Sequence, residues 1–159
     1  MDKEKYFQQI IYKFASKCKI KIPYIMKDNR LNMVGVFEAK IKDTNEPVWI
    51  LKYNSKRVKK LKKWELIHIA LHELGHIKTK STDNISIAEY KAEKFALKAI
   101  KKYFPQYTER VLQYLTRFIG DKRKHYREAY ERLLAENLPE CKSIKHKIII
   151  IQNISKNCN

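Results

Sequence analysis

His72, Glu73 and His76 stand in the pattern His-Glu-x-x-His. On a helix, positions i and i+4 share one face. Both imidazoles can then reach one Zn²⁺ at ~2.0–2.1 Å, with Glu73 beside them facing a water on the metal. Three fixed positions in five also match by chance, so the surroundings decide. Lys and Arg make up 35 of the 159 residues, and roughly three are expected in any window the length of 64–77. That window contains none. Its apolar residues lie all round a 3.6-residue period, which predicts a helix buried on most sides. Carboxylate and imidazole groups inside such a helix are costly unless something compensates them, and a bound cation does so.

Two histidines leave a zinc site short of a third protein ligand, with one further position open for water. Glu89 and Glu93 lie four residues apart in the next helical stretch, on its alanine-rich side. If the two helices form an antiparallel hairpin, residues equally far from the break face each other. His76 and Glu89 each lie about one turn from it, and His72 and Glu93 one turn deeper. This spacing nominates Glu89 as the third ligand. It nominates Glu93 as a carboxylate that accepts an N–H from a ligand histidine and fixes its tautomer. Glu89 also fits the last position of a Ser86-x-x-Glu89 capping box, and Glu93 fits a surface ion pair. His68, one turn before His72, reads as a core residue. His125 and His146 sit among cations and read as exposed.

The elements that must position these groups follow from periodicity. Residues 2–18 form an amphipathic helix through Tyr6, Phe7, Ile10, Ile11 and Phe14. Residues 20–25, with Pro23, read as an extended edge segment. Residues 33–41 alternate with period two, so that Met33, Gly35, Phe37, Ala39 and Ile41 share a face. A turn follows at 43–46, and 47–53 returns as a second strand, giving an antiparallel hairpin. Residues 54–63 read as a basic loop. The central helix spans about 60–79. After a break at 80–84, a helix capped by Asp83, Asn84 or Ser86 runs to about Phe104, before Pro105. Two more helices, 107–119 and 121–136, meet near Gly120 and Asp121. Residues 145–154 hold a short apolar run, followed by a tail. The whole reads as one domain, 1–159, with a core at about 20–104, a C-terminal helical extension at 105–140 and a tail at 141–159.

His72-Glu-Leu-Gly-His76 followed by Glu89-Tyr-Lys-Ala92-Glu93-Lys-Phe95-Ala96 resembles the ImmA/IrrE-type zinc metallopeptidases, which carry a HELGH helix and then an E-x-x-A-(D/N/E)-x-F-A helix. The resemblance covers roughly residues 30–100. The chain departs from the family pattern in the twelve residues between His76 and Glu89, in having Glu at 93 where Asp or Asn is commoner, and in lacking a Leu-Leu-Met-Pro ending. The resemblance implies an α+β, helix-rich, zincin-like single domain with its hairpin packed on the HExxH helix. It also implies a protein substrate, such as a helix-turn-helix repressor of a mobile-element or stress circuit. The expected chemistry is zinc-dependent peptide hydrolysis. His72, His76 and Glu89 hold Zn²⁺, which lowers the pKa of its water toward ~7, and Glu73 is the general base. Strand 47–53, through Trp49, Leu51 and Tyr53, is expected to bind substrate by strand addition at its edge. Tyr53, Tyr90 and the C-terminal tyrosines are the candidates for the oxyanion donor.

Length and composition bound the alternatives. A chain of 159 residues that is 44% hydrophobic is large and apolar enough to fold around a core. The longest apolar run, residues 148–151, is far too short to span a bilayer, and no signal-peptide core follows the N-terminus. The expectation is a cytoplasmic protein without a membrane partner. Cys18, Cys141 and Cys158 form no metal or disulfide spacing and read as free thiols. The net charge of +18 favours acidic partners and gives a salt-sensitive attraction to nucleic acid. The charge is mostly Lys, with only seven Arg, so base-reading guanidinium forks are few. A non-catalytic, zinc-stabilised binding or regulatory protein and a basic nucleic-acid-associated module are the rival functions.

Overall fold

The structure, a computed structural model, describes residues 2–42, 44–79 and 84–137. The expected apolar run at 145–154, His146, Cys141, Cys158 and the tail lie outside them. The chain forms two compact units, Met1–Lys80 and Ser81–Asn159. It is helix-rich with a small three-stranded mixed sheet, an α+β arrangement. No helix among the described residues is long and apolar enough to cross a membrane.

In the first unit, helix α1 (Lys3–Lys17) starts at Asp2, whose carboxylate accepts hydrogen bonds from the Glu4 and Lys5 amides. Its buried stripe is Phe7, Ile10, Ile11, Phe14 and Ala15, the face that its period requires. Three strands follow: β1 (Tyr24–Lys27), β2 (Val34–Lys40) and β3 (Pro47–Tyr53). β2 and β3 pair antiparallel as the expected hairpin, with Phe37 opposite Ile50. β1 pairs parallel to β3, with Ile25 opposite Leu51, so the order is β1-β3-β2.

One face of this sheet carries Leu51 and Tyr53, both 0% exposed. There Phe7 of α1 meets the Tyr53 ring edge-on at 5.7 Å. The other face carries Tyr24, Met26 and Phe37, which are exposed, and Lys52 lies over the Phe37 ring. The residues expected to share a face therefore do so, and Phe37 and Ile41 of that set face outward.

Residues 54–63 are not all loop. Asn54 caps a four-residue helix, α2 (Ser55–Val58), by accepting from the Arg57 amide, and Val58 is buried. One carboxylate gathers these pieces. Glu4 of α1 accepts Ser55 Oγ at 2.8 Å and Tyr53 Oη at 3.1 Å, and pairs with Lys27 at 2.8 Å and Lys59 at 2.9 Å. These donors lower its pKa from 4.5 to about 2, the two lysines contributing most. Glu4 therefore ties α1, β1, β3 and α2 at one point. The central helix, α3 (Lys63–Thr79), follows.

In the second unit, α4 (Ile85–Tyr103) begins at Asn84, whose side chain accepts from the Ile87 amide. Phe104 caps its end, and Pro105 opens a short 3-10 turn. Helix α5 (Thr108–Leu115) runs into a second 3-10 turn, and Gly120, with φ 76°, provides the left-handed backbone before α6 (Lys124–Asn137). Ser86 reaches Glu128, Lys94 reaches Glu136 and Lys101 reaches Asn137. Partner numbers rise together along both helices, so α4 and α6 run alongside each other in the same direction.

Candidate metal centre

Helix α3 carries His72, Glu73 and His76. Glu65 accepts from the Lys62 amide at 2.6 Å and satisfies a donor of the first turn. At the other end the Thr79 hydroxyl donates to the Gly75 carbonyl, and Lys78 reaches the Cys18 carbonyl at the end of α1. Leu66, Ile67, Ala70, Leu71 and Leu74 are all 0% exposed. Core contacts therefore surround the helix, as the missing lysines predicted. His68 is buried with them, its ring edge-on to His72 at 6.4 Å.

The two motif imidazoles are half-buried and face one another, Nε2 to Nε2, at 3.1 Å. Two metal–nitrogen bonds of ~2.0–2.1 Å spanning that gap would open at roughly 100°, close to a tetrahedral edge. Glu73, between them in sequence, is buried at 8% exposure.

On α4, Glu89 is half-buried and Glu93 is 0% exposed. The capping-box reading of Glu89 fails. Asn84 is the cap, and the Ser86 hydroxyl donates to Glu128 instead. A surface ion pair for Glu93 fails as well, because the residue is wholly enclosed. Within the first unit, His72 and His76 offer two ligand nitrogens on one face of α3, and the sequence spacing nominates Glu89 of α4 as the third ligand. Two imidazoles and one carboxylate are a donor set that suits zinc.

The substrate role given to strand 47–53 is corrected. β3 lies in the middle of the sheet, with β1 on one side and β2 on the other, so strand addition at its edge is closed. Leu51 and Tyr53 are wholly buried, and Trp49 is half-buried. Period-two alternation shows which residues share a face but not which strand ends up central, and the parallel partner β1 took the position. The Tyr53 hydroxyl is committed to Glu4 and Gln8, and the Tyr90 hydroxyl to Glu136 and Lys94. Both leave the list of oxyanion donors. His125 is half-buried against Tyr126, with ring centroids 4.3 Å apart, rather than exposed.

No family model, no curated protein and no solved structure matches the chain.

Proposed function

We propose that the chain is a zinc-dependent metallopeptidase. The observation that carries this reading is the pair of imidazole nitrogens 3.1 Å apart, in the same helical turn as a buried carboxylate. His72, His76 and Glu89 hold the metal, and Glu93 orients a ligand histidine. Zinc at such a donor set supplies a Lewis acid and makes a bound water acidic enough to ionise near neutral pH. Glu73 takes the proton of the attacking water as the C–O bond forms and the carbonyl π electrons move onto oxygen, and it delivers that proton to the amine as the carbonyl re-forms and the C–N bond breaks. The resemblance to the ImmA/IrrE-type peptidases supports a protein substrate, with a helix-turn-helix repressor of a mobile-element or stress circuit as its best candidate. Substrate strand addition falls to the sheet's edge strands rather than to β3.

Glu73→Gln tests the mechanism. The variant is expected to bind zinc as tightly as the wild type and to lose peptide hydrolysis by a factor of roughly 10² or more. Undiminished turnover would remove Glu73 from the reaction.

A second reading rests on charge. Residues 52–63 hold seven Lys and Arg and no acidic residue, and Lys56, Arg57, Lys60 and Lys62 are exposed. A surface of this kind attracts nucleic acid with an affinity that falls steeply with salt. If this is the function, a chelator leaves it untouched.

A further inference from the structure

We propose that the open face of the β1-β3-β2 sheet is a docking surface for an acidic amphipathic helix of a partner protein. The surface lies within the first unit and is independent of the zinc site. β3 carries Val48-Trp49-Ile50-Leu51, a run that is apolar on both faces. A sheet with one solvated face alternates apolar and polar residues, whereas a continuous apolar run belongs to a strand covered on both sides. One face of β3 is covered, with Leu51 and Tyr53 wholly buried. The other is open.

The register sets out that open face in rows. Tyr24, Ile50 and Phe37 stand abreast across the three strands, and Met26, Lys52 and Gly35 form the next row. Tyr24 is 63% exposed, Met26 50% and Phe37 42%. A Cβ on Gly35 would come within 3.3 Å of the Phe37 ring, so that ring lies against the bare backbone of its own strand. A contiguous apolar surface of this kind marks an interaction site. Three strands span two spacings, roughly 10 Å, which is about the diameter of one α-helix. β1 has four residues, so the face is roughly 13 Å long, enough for two helical turns. It accommodates a helix rather than a second sheet.

Charge selects the partner. Lys52 is the one charged side chain in these rows. Its ammonium lies 5.2 Å from the Phe37 ring centroid, and among the described residues it makes no ion pair. Exposed Lys21 reaches the Pro47 carbonyl at the start of β3 and adds a cation at the end of the central strand. The chain as a whole carries +18. A second copy brings the same charge and is repelled, whereas a helix flanked by carboxylates is attracted. Met26 and Ile50 offer no ring for a base to stack on, so the surface suits apolar side chains better than single-stranded nucleic acid.

The test uses the whole chain and three fluorescein-labelled peptides of about 18 residues. One has a leucine stripe with glutamate on its other faces, one is a scramble of that composition, and one has lysine in place of glutamate. Labelled oligothymidylate is the fourth probe. Anisotropy reads their binding to wild type, Tyr24→Ser/Met26→Ser, Lys52→Glu and, as a control at an exposed residue of α1, Tyr12→Ser. Wild type is expected to prefer the acidic amphipathic peptide to the other two by about 10-fold or more. The double variant and Lys52→Glu are each expected to lose about 10-fold of that affinity, and Tyr12→Ser to stay within about twofold. In wild type, the peptide is expected to move the amide chemical shifts of residues 24–26, 35–37 and 50–52. Shifts confined to other residues overturn the proposal, whether or not a variant folds. So does equal binding of the scrambled or the lysine peptide, or full affinity in both face variants. Oligothymidylate binding that the face variants lose while peptide binding survives overturns it in favour of nucleic acid. A dimer in sedimentation that the double variant dissolves overturns it in favour of a second copy.

Discussion

Glu4→Gln removes the charge from the point where α1, β1, β3 and α2 meet. The folded carboxylate has a pKa of about 2 against 4.5, a gap of roughly 2.5 units, or about 3.4 kcal/mol as an upper bound. Its two lysine partners have side chains 60% and 63% exposed, while Glu4 is 9% exposed. Solvent screens those pairs, which reduces the figure to about 1–2 kcal/mol. The sign follows from the lowered pKa. The contribution is complete above 4.5 and is lost as pH falls toward 2, where folded and unfolded states both hold the proton. Urea unfolding of wild type and Glu4→Gln at pH 7, 4 and 2.5 measures it. At pH 7 the variant is expected to be about 1–2 kcal/mol less stable, a midpoint shift of roughly 0.5–1 M. That gap should shrink to about a quarter at pH 2.5, half a unit above the folded pKa. A gap that stays constant from pH 7 to 2.5 would show that Glu4 acts through its shape and hydrogen bonds alone, and the electrostatic reasoning would fail.

Two further outcomes follow from the site and its helix. Glu89→Ala is expected to weaken zinc binding by at least 10-fold in chelator competition while leaving the apo-protein folded by circular dichroism; unchanged affinity would exclude Glu89 as a ligand. Asn84→Ala is expected to cost about 1 kcal/mol of stability in urea unfolding, whereas Ser86→Ala costs less than half of that. The reverse order would restore Ser86 as the cap.

The HELGH helix was legible because its environment is written into its composition. A Lys-rich chain that drops every cation for fourteen residues is avoiding desolvated charge, and the buried Leu66, Leu71 and Leu74 bear this out. The hairpin and the face shared by Gly35, Phe37 and Ala39 were equally plain from alternation. The position of β3 was not, because pairing with β1 is a parallel contact across more than twenty residues that no local pattern encodes. Helix α2 escaped because four residues are too few for a period, although Asn54 supplied its cap. The Glu4 cluster had no sequence signal at all. An acid at the second position of a helix, between two lysines, looks like a solvated face, and its partners Tyr53 and Ser55 lie about fifty positions away. Ser86-x-x-Glu89 misled in the opposite way, since Asn84 two residues earlier reaches the helix amides first.

The most direct test of the account is zinc per chain in protein purified without added metal, measured by elemental mass spectrometry and repeated on His72→Ala. The account predicts close to one zinc per wild-type chain and a marked loss in the variant. A wild-type chain that carries no zinc and takes up none on addition would contradict it, and the His72–His76 pair would then be a structural contact inside a buried helix.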